Sequence, residues 1–163
     1  MDLKQFLELF NPLPGNHYLL VTDKIDDITY ALNDLMQGVS GEFHLALYED
    51  SVTNLRDELQ NTKLQSIQNI SNPFRALPRD HDIVIIKNIM QLHNNPELLL
   101  RIAYTTLANT AEIIIMEEKG TMDIVKTKEL LEKFEFRAAN EIDILKEYDL
   151  VMGKKMHMWG NGL

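Results

Sequence analysis

The sequence predicts an α/β domain on a seven-stranded, mostly parallel sheet, with helices on both faces and an antiparallel β-hairpin at its C-terminal end. Three observations predict it. Short apolar runs alternate with longer segments whose apolar residues recur at helical spacing, and such alternation implies parallel strands joined by right-handed crossovers. The two central runs, Asp82-Ile83-Val84-Ile85-Ile86-Lys87 and Ala111-Glu112-Ile113-Ile114-Ile115-Met116-Glu117, have unbroken β-branched centres, as strands covered on both faces do. Two last runs, 138–144 and 149–158, follow one another across a short turn with no helix between them, so they pair antiparallel.

Taken in order, Leu3, Phe6, Leu7 and Phe10 share one helical face, and Asn11-Pro12-Leu13-Pro14-Gly15 ends that helix. Residues 17–22 read as the first strand. Ile25, Ile28, Ala31, Leu32 and Leu35 repeat at helical spacing, and 38–41 form the exit turn. The second strand covers 43–48. Ser51 is suited to cap a helix running to Gln60, because its hydroxyl accepts from the first free amides. Residues 64–70 are more polar, as an edge strand is. After the strand at 82–87, Pro96 opens a helix whose apolar stripe is Leu98, Leu99, Ile102, Ala103 and Leu107. The strand at 111–117 is followed by a helix carrying Leu130, Leu131 and Phe134, and then by the hairpin. Ile83, Val84, Ile85, Ile113, Ile114 and Ile115 are the expected centre of the core.

The 163 residues suit one domain spanning 1–163, with 1–15 as an N-terminal helix and loop, and that length buries roughly two-thirds of the unfolded surface. The absence of cysteine removes disulfides, zinc–thiolate sites and a thiol nucleophile, and favours a cytoplasmic protein. The first ten residues carry acids within their apolar run and no cleavage signal, and no apolar stretch is long enough to span a membrane. A formal net charge of −9 makes nucleic acid a poor partner, and Lys154-Lys155 is a thin basic patch to set against it. His17, His44, His81, His93 and His157 show no paired ligand spacing, so no metal site is expected. There is no nucleophile elbow and no phosphate loop.

Five βα units ending in a hairpin resemble the class I S-adenosylmethionine-dependent methyltransferases. The segment from Asp82 through His93 to Pro96-Glu97 is similar to that family's fourth strand and following turn. Leu107 to Glu117, with Leu130-Leu131-Glu132-Lys133-Phe134-Glu135-Phe136, is similar to its fifth strand and helix, and Tyr148 to Lys155 to its last strand. The resemblance covers the chain from His17 onward. It implies a doubly wound, Rossmann-like methyltransferase fold with strand order 3-2-1-4-5-7-6 and a cofactor crevice between strands one and four.

The departure is in the first loop. The family has an acid in the first strand and then three alternating glycines. Here Leu20 stands at the acid and Thr22-Asp23-Lys24-Ile25-Asp26 at the glycine loop. Glycine there permits a tight turn and close approach to a ligand. Side chains at Thr22, Lys24 and Asp26 fill that space, and Asp23, Asp26 and Asp27 can cap the following helix themselves while repelling the cofactor's carboxylate. Lys24 offsets part of that charge. By position, Thr22, Asp23, Lys24, Glu49 and Lys87 are the candidate cofactor contacts. Glu49, with Asp50 after the second strand, stands where the family binds ribose hydroxyls, or else caps the helix begun near Ser51. Arg75-Ala76-Leu77-Pro78-Arg79-Asp80 lies where the family meets adenine, or is an ordinary loop.

Lys87-Asn88-Ile89-Met90 occupies the corner where amino-group methyltransferases carry Asn/Asp-Pro-Pro-Tyr/Phe; that motif is missing, which disfavours methylation of DNA bases or protein amines. His93 is the candidate catalytic base, against a surface role. Of Glu117-Glu118, one can face a pocket at the carboxyl edge. Trp159 with Met152, Met156 and Met158 reads as core and tail, or as an adaptable contact surface.

Three functions are compatible with these residues. The first is a methyltransferase-like protein with a degenerate loop, non-catalytic or acting through contacts with a protein partner. The second is a small-molecule methyltransferase holding S-adenosylmethionine in an atypical site, since methyl transfer runs largely on proximity. The third is a doubly wound domain for another small ligand. The lost glycines and acid favour the first.

Overall fold

The computed structural model describes residues 1–48, 59 and 62–156. In chain order its elements are α1 (Lys4–Leu7), β1 (His17–Thr22), α2 (Asp27–Gln37), β2 (Glu42–Tyr48), β3 (Lys63–Ile67), β4 (His81–Lys87), α3 (Pro96–Thr106), β5 (Leu107–Glu118), α4 (Ile124–Lys133), β6 (Phe136–Ile142) and β7 (Tyr148–Lys155). The strands form one seven-stranded sheet in the order β3-β2-β1-β4-β5-β7-β6, as expected. From β3 to β5 every neighbouring pair is parallel, and β7 runs antiparallel to both β5 and β6. The helix expected to begin at Ser51 lies outside the described residues.

Two apolar layers explain why the central strands have no polar face. On one side Tyr18, Leu20, Ile83, Ile85 and Ile114 pack with Phe6, Phe10 and the α2 residues Ile28, Leu32 and Met36. On the other, Leu19, Val21, Val84, Ile86, Ile113 and Ile115 pack with Leu99, Leu100 and Ala103 of α3 and Leu131 of α4. Successive residues of a strand point to opposite faces, so each strand feeds both layers. All six expected core residues are buried.

The helix starts follow local chemistry. Asp26, Asn95 and Asp123 each precede a helix and accept from its first free amides, and Pro96 occupies the first position of α3. The turn from α2 into β2 needs Gly41, where a Cβ would lie 2.6 Å from Met36 Cε and 2.9 Å from Asn16 O.

Some boundaries differ from expectation. The first helix is a single turn, Lys4–Leu7, although Phe6 and Phe10 are both buried. β5 begins at Leu107 rather than near 111: Leu107 pairs with His81, the register shifts, and Thr110 takes a left-handed φ of 69°. A bulge therefore carries the strand back through 108–110 to Leu107, a residue expected in the apolar stripe of the preceding helix, which instead ends at Thr106. In β6 a comparable shift lies between Arg137 and Asn140, with Ala138 at φ 55°, so the strand starts at Phe136. β3 stops at Ile67, short of the expected 70, and is half-exposed, as an edge strand is.

Candidate functional site

In an open α/β sheet the ligand crevice opens at the carboxyl ends of the strands where the strand order reverses. Here that point lies between β1 and β4, whose last residues, Thr22 and Lys87, are register partners. The crossover from β1 passes directly through 23–26 into α2, so the loop, the start of α2 and the end of β4 converge.

The residues filling this point are charged and paired with one another. Lys87 is wholly buried, with its Nζ 2.9 Å from Asp26 Oδ2 and 3.9 Å from Asp23 Oδ1. The ammonium has the separation of a hydrogen bond to Asp26 without its direction, so the attraction is chiefly coulombic. The Tyr148 ring lies 5.2 Å away and supplies a π face. Asp26 has a second task. Its Oδ1 accepts from the amides of Ile28 at 3.1 Å and Thr29 at 3.4 Å, while Thr29 Oγ1 accepts from the Asp26 amide at 3.2 Å. This capping box consumes amides that an anion would otherwise meet. Asp23 accepts from Asn88 Nδ2 at 3.2 Å, and Asn88 sits at φ 62°, a left-handed conformation that asparagine tolerates. Thr22 is fully buried, and its hydroxyl lies 3.3 Å from Lys24 O and 3.4 Å from Asp23 Oδ1.

Of the candidate cofactor contacts, Thr22, Asp23 and Lys87 are brought together. Lys24 is exposed, so the cation that meets the acids is Lys87 instead. Glu49 and Asp50 lie outside the described residues. The Arg75–Asp80 segment is held to the edge strand, where Gln65 accepts from the Arg75 amide at 2.8 Å and donates to its carbonyl at 2.5 Å.

His93 is buried, and both ring nitrogens are occupied. The Asn95 amide donates to Nδ1 at 2.9 Å, which makes Nε2 the protonated nitrogen, donating to Asn72 O at 3.2 Å. The ring also meets Tyr48 edge-on at 6.1 Å. In this arrangement no lone pair of His93 faces a substrate.

Glu117 is the member of its acidic pair that turns inward. It is buried, whereas Glu118 is exposed. Glu117 lines a cavity of about 320 Å³ with Met90, Ile115, Met122, Lys126 and Leu130. Burial pushes its carboxyl up to about 7, against the opposing effect of the Asn88 and Gln91 amides, and Asp23 and Glu118 raise it further. One carboxyl oxygen, Oε2, has no hydrogen-bond partner. The apolar spacing of Met122 and Leu130 carried no sign of this cavity, because its wall is formed by the end of β5, two loops, Pro96 of α3 and α4 together.

No family model matches the chain, and no curated relative matches it. Solved structures do. The chain is similar to a SAM-dependent methyltransferase from Aquifex aeolicus at 14% identity, covering 95% of this chain and 90% of that one, with a TM-score of 0.66. It is similar to Haemonchus contortus phosphoethanolamine N-methyltransferase 2 in complex with S-adenosyl-L-methionine at 10% identity and a TM-score of 0.70, covering 94% of this chain and 52% of that one. A third likeness, at 11% identity and a TM-score of 0.68, is to the complex between the Haloferax volcanii Trm112 methyltransferase activator and a methyltransferase, covering 94% and 88%. The chain spans about half the length of several other methyltransferases that it matches. The fold is the Rossmann-like class I methyltransferase fold. Among the described residues no helix is long and apolar enough to cross a membrane.

Proposed function

We propose that this chain is a methyltransferase-fold domain whose crevice no longer accepts S-adenosylmethionine in the family's manner, and that it acts through contacts with a protein partner. The observation that carries this reading is the buried Lys87 ammonium held against Asp26 and Asp23 at the end of β1. A cofactor entering there would have to displace one member of a buried ion pair, and leaving the other unpaired costs roughly 3–5 kcal/mol. That is about half of the −8 kcal/mol of a micromolar ligand. The capped amides of α2 and the buried Thr22 side chain add to the obstacle. The Haloferax volcanii complex supports a partner-dependent reading, because there a chain of this fold occurs with an activator protein.

Calorimetric titration at neutral pH with S-adenosylmethionine and S-adenosylhomocysteine tests the proposal. The expected result is no binding in the micromolar range. A dissociation constant of about 10 µM or tighter would overturn it and favour a small-molecule methyltransferase with an atypical site, in which Glu49→Ala should weaken binding about tenfold or more. If binding is absent, glycine at 22, 24 and 26 together tests whether the loop is the obstacle.

A second reading, a domain for another small ligand, is favoured by the cavity at Glu117. Its volume of about 320 Å³ reaches the range of small-molecule sites, and its surface is mostly apolar, with Glu117, Asp123 and Lys126 among the polar residues that line it. A thermal-shift screen of small apolar amines and amides, repeated on Glu117→Gln, separates this reading from the first.

A further inference from the structure

We propose that His17, Glu42 and His44 form a binding site for a divalent transition-metal ion of the zinc class, at the amino edge of the sheet and opposite the crevice. His17 opens β1, and Glu42 is its register partner at the start of β2. Glu42 and His44 are two residues apart on one strand, so their side chains share a face. The result is three ligand atoms, one from each residue, all within 4.8 Å of one another. An ion bound at about 2.0–2.1 Å in tetrahedral geometry sets its ligands roughly 3.3–3.5 Å apart. Small rotations therefore close the site.

The hydrogen bonds around the site determine which nitrogens are available. Thr106 Oγ1 donates to Leu77 O at 2.5 Å, so its oxygen accepts from His81 Nδ1–H at 2.8 Å. His81 Nε2 then carries a lone pair, and it accepts from His44 Nδ1–H at 2.7 Å. This leaves a lone pair on His44 Nε2, and that atom is buried without any hydrogen-bond partner. It lies 4.0 Å from Glu42 Oε1. His17 Nδ1 donates to Asp80 O at 2.9 Å, with Asp80 Oδ1 at 3.2 Å, which turns His17 Nε2 toward Glu42 Oε2.

Each imidazole thus has its outer N–H fixed by an acceptor and its other nitrogen aimed inward, the arrangement that orients and tunes metal-bound histidines. Burial lowers the proton affinity of His44 and of His81 behind it. Two imidazoles and a carboxylate suit zinc and its neighbours rather than calcium or magnesium, and leave a position for water. Two contacts compete with an ion: the proton joining His17 Nε2 to Glu42 Oε2, which the ion would displace, and Lys63, whose Nζ lies 3.0 Å from Glu42 Oε1. That side chain is 67% exposed, so it can swing into solvent at little cost.

The test uses the tag-free full chain after chelator treatment, titrated with Zn²⁺ by calorimetry and with Co²⁺ by visible absorption. We expect one ion per chain, bound at about 10 µM or tighter, and Co²⁺ ligand-field bands of a four- or five-coordinate site. Glu42→Gln and His17→Gln, whose side chains are partly exposed and tolerate change, should each weaken Zn²⁺ at least about tenfold with circular dichroism unchanged. His157→Gln should leave binding as it was. Binding weaker than about 1 mM, binding indifferent to Glu42→Gln and His17→Gln, or binding abolished by His157→Gln would each overturn the proposal.

Discussion

At Lys87 a side chain that ordinarily reaches for water is enclosed, and its two carboxylate neighbours make that possible. Methionine at this position keeps the length of the stem and removes the charge. Lys87→Met leaves Asp26 facing an apolar end, and it should lower stability by about 3–5 kcal/mol. Adding Asp26→Asn removes the stranded charge and keeps a capping side chain, so the double variant should recover most of that loss. Urea unfolding of the two variants at neutral pH checks both statements. Glu117 is the converse case, a buried carboxyl with no cation on its free oxygen. Its folded value of about 7 lies above its ordinary 4.5, so the folded state holds the proton more tightly than the unfolded chain. The stabilisation is complete below about pH 4.5 and is lost as pH rises through 7. Glu117→Gln should therefore be nearly neutral at about pH 5 and stabilising by up to roughly 3 kcal/mol at about pH 8. Thermal melts at the two pH values check the sign, and equal effects at both would refute it.

At the level of elements, β5 is the structural pivot. It pairs with β4 on one side and β7 on the other, and its alternate residues enter both apolar layers. Ile114 points to the layer of α1 and α2 and is fully buried. Ile114→Ala should cost roughly 2–5 kcal/mol in chemical denaturation. A loss below about 1 kcal/mol would mean that the layer is loosely packed. The run Ile113-Ile114-Ile115 is legible as a strand because its β-branching and length leave few alternatives. The start of β5 is less legible: Asn109-Thr110 carries turn residues, and only pairing of Leu107 with His81 extends the strand across them. The same holds at Ala138, where nothing local announces a left-handed residue.

For the molecule as a whole, the reading of one domain over 1–163 predicts cooperative unfolding. The two apolar layers share the strands β1, β4 and β5, so neither can be exposed while the other stays packed. Far-ultraviolet circular dichroism and near-ultraviolet tyrosine signals should give coincident urea transitions. Separate midpoints would show that the layers, or the terminal segments, behave as distinct units.

The layer structure, the parallel run of strands and the closing hairpin were determined by the chain's periodicity, because the apolar pattern of each segment reports its own environment. The altered first loop was equally plain: a missing glycine is a local fact, and its consequence for close approach is steric. What the pattern held no trace of are contacts between residues far apart in the chain. Lys87 meets Asp26 because β4 lies beside β1. His17 meets Glu42 and His44 because β1 lies beside β2, while the spacing of the histidines predicted no metal site. His93 has its lone pair taken up by the Asn95 amide and its N–H by the Asn72 carbonyl. Charge pairing, ligand geometry and tautomer depend on distances of a few ångströms between strands, and only the folded sheet decides those.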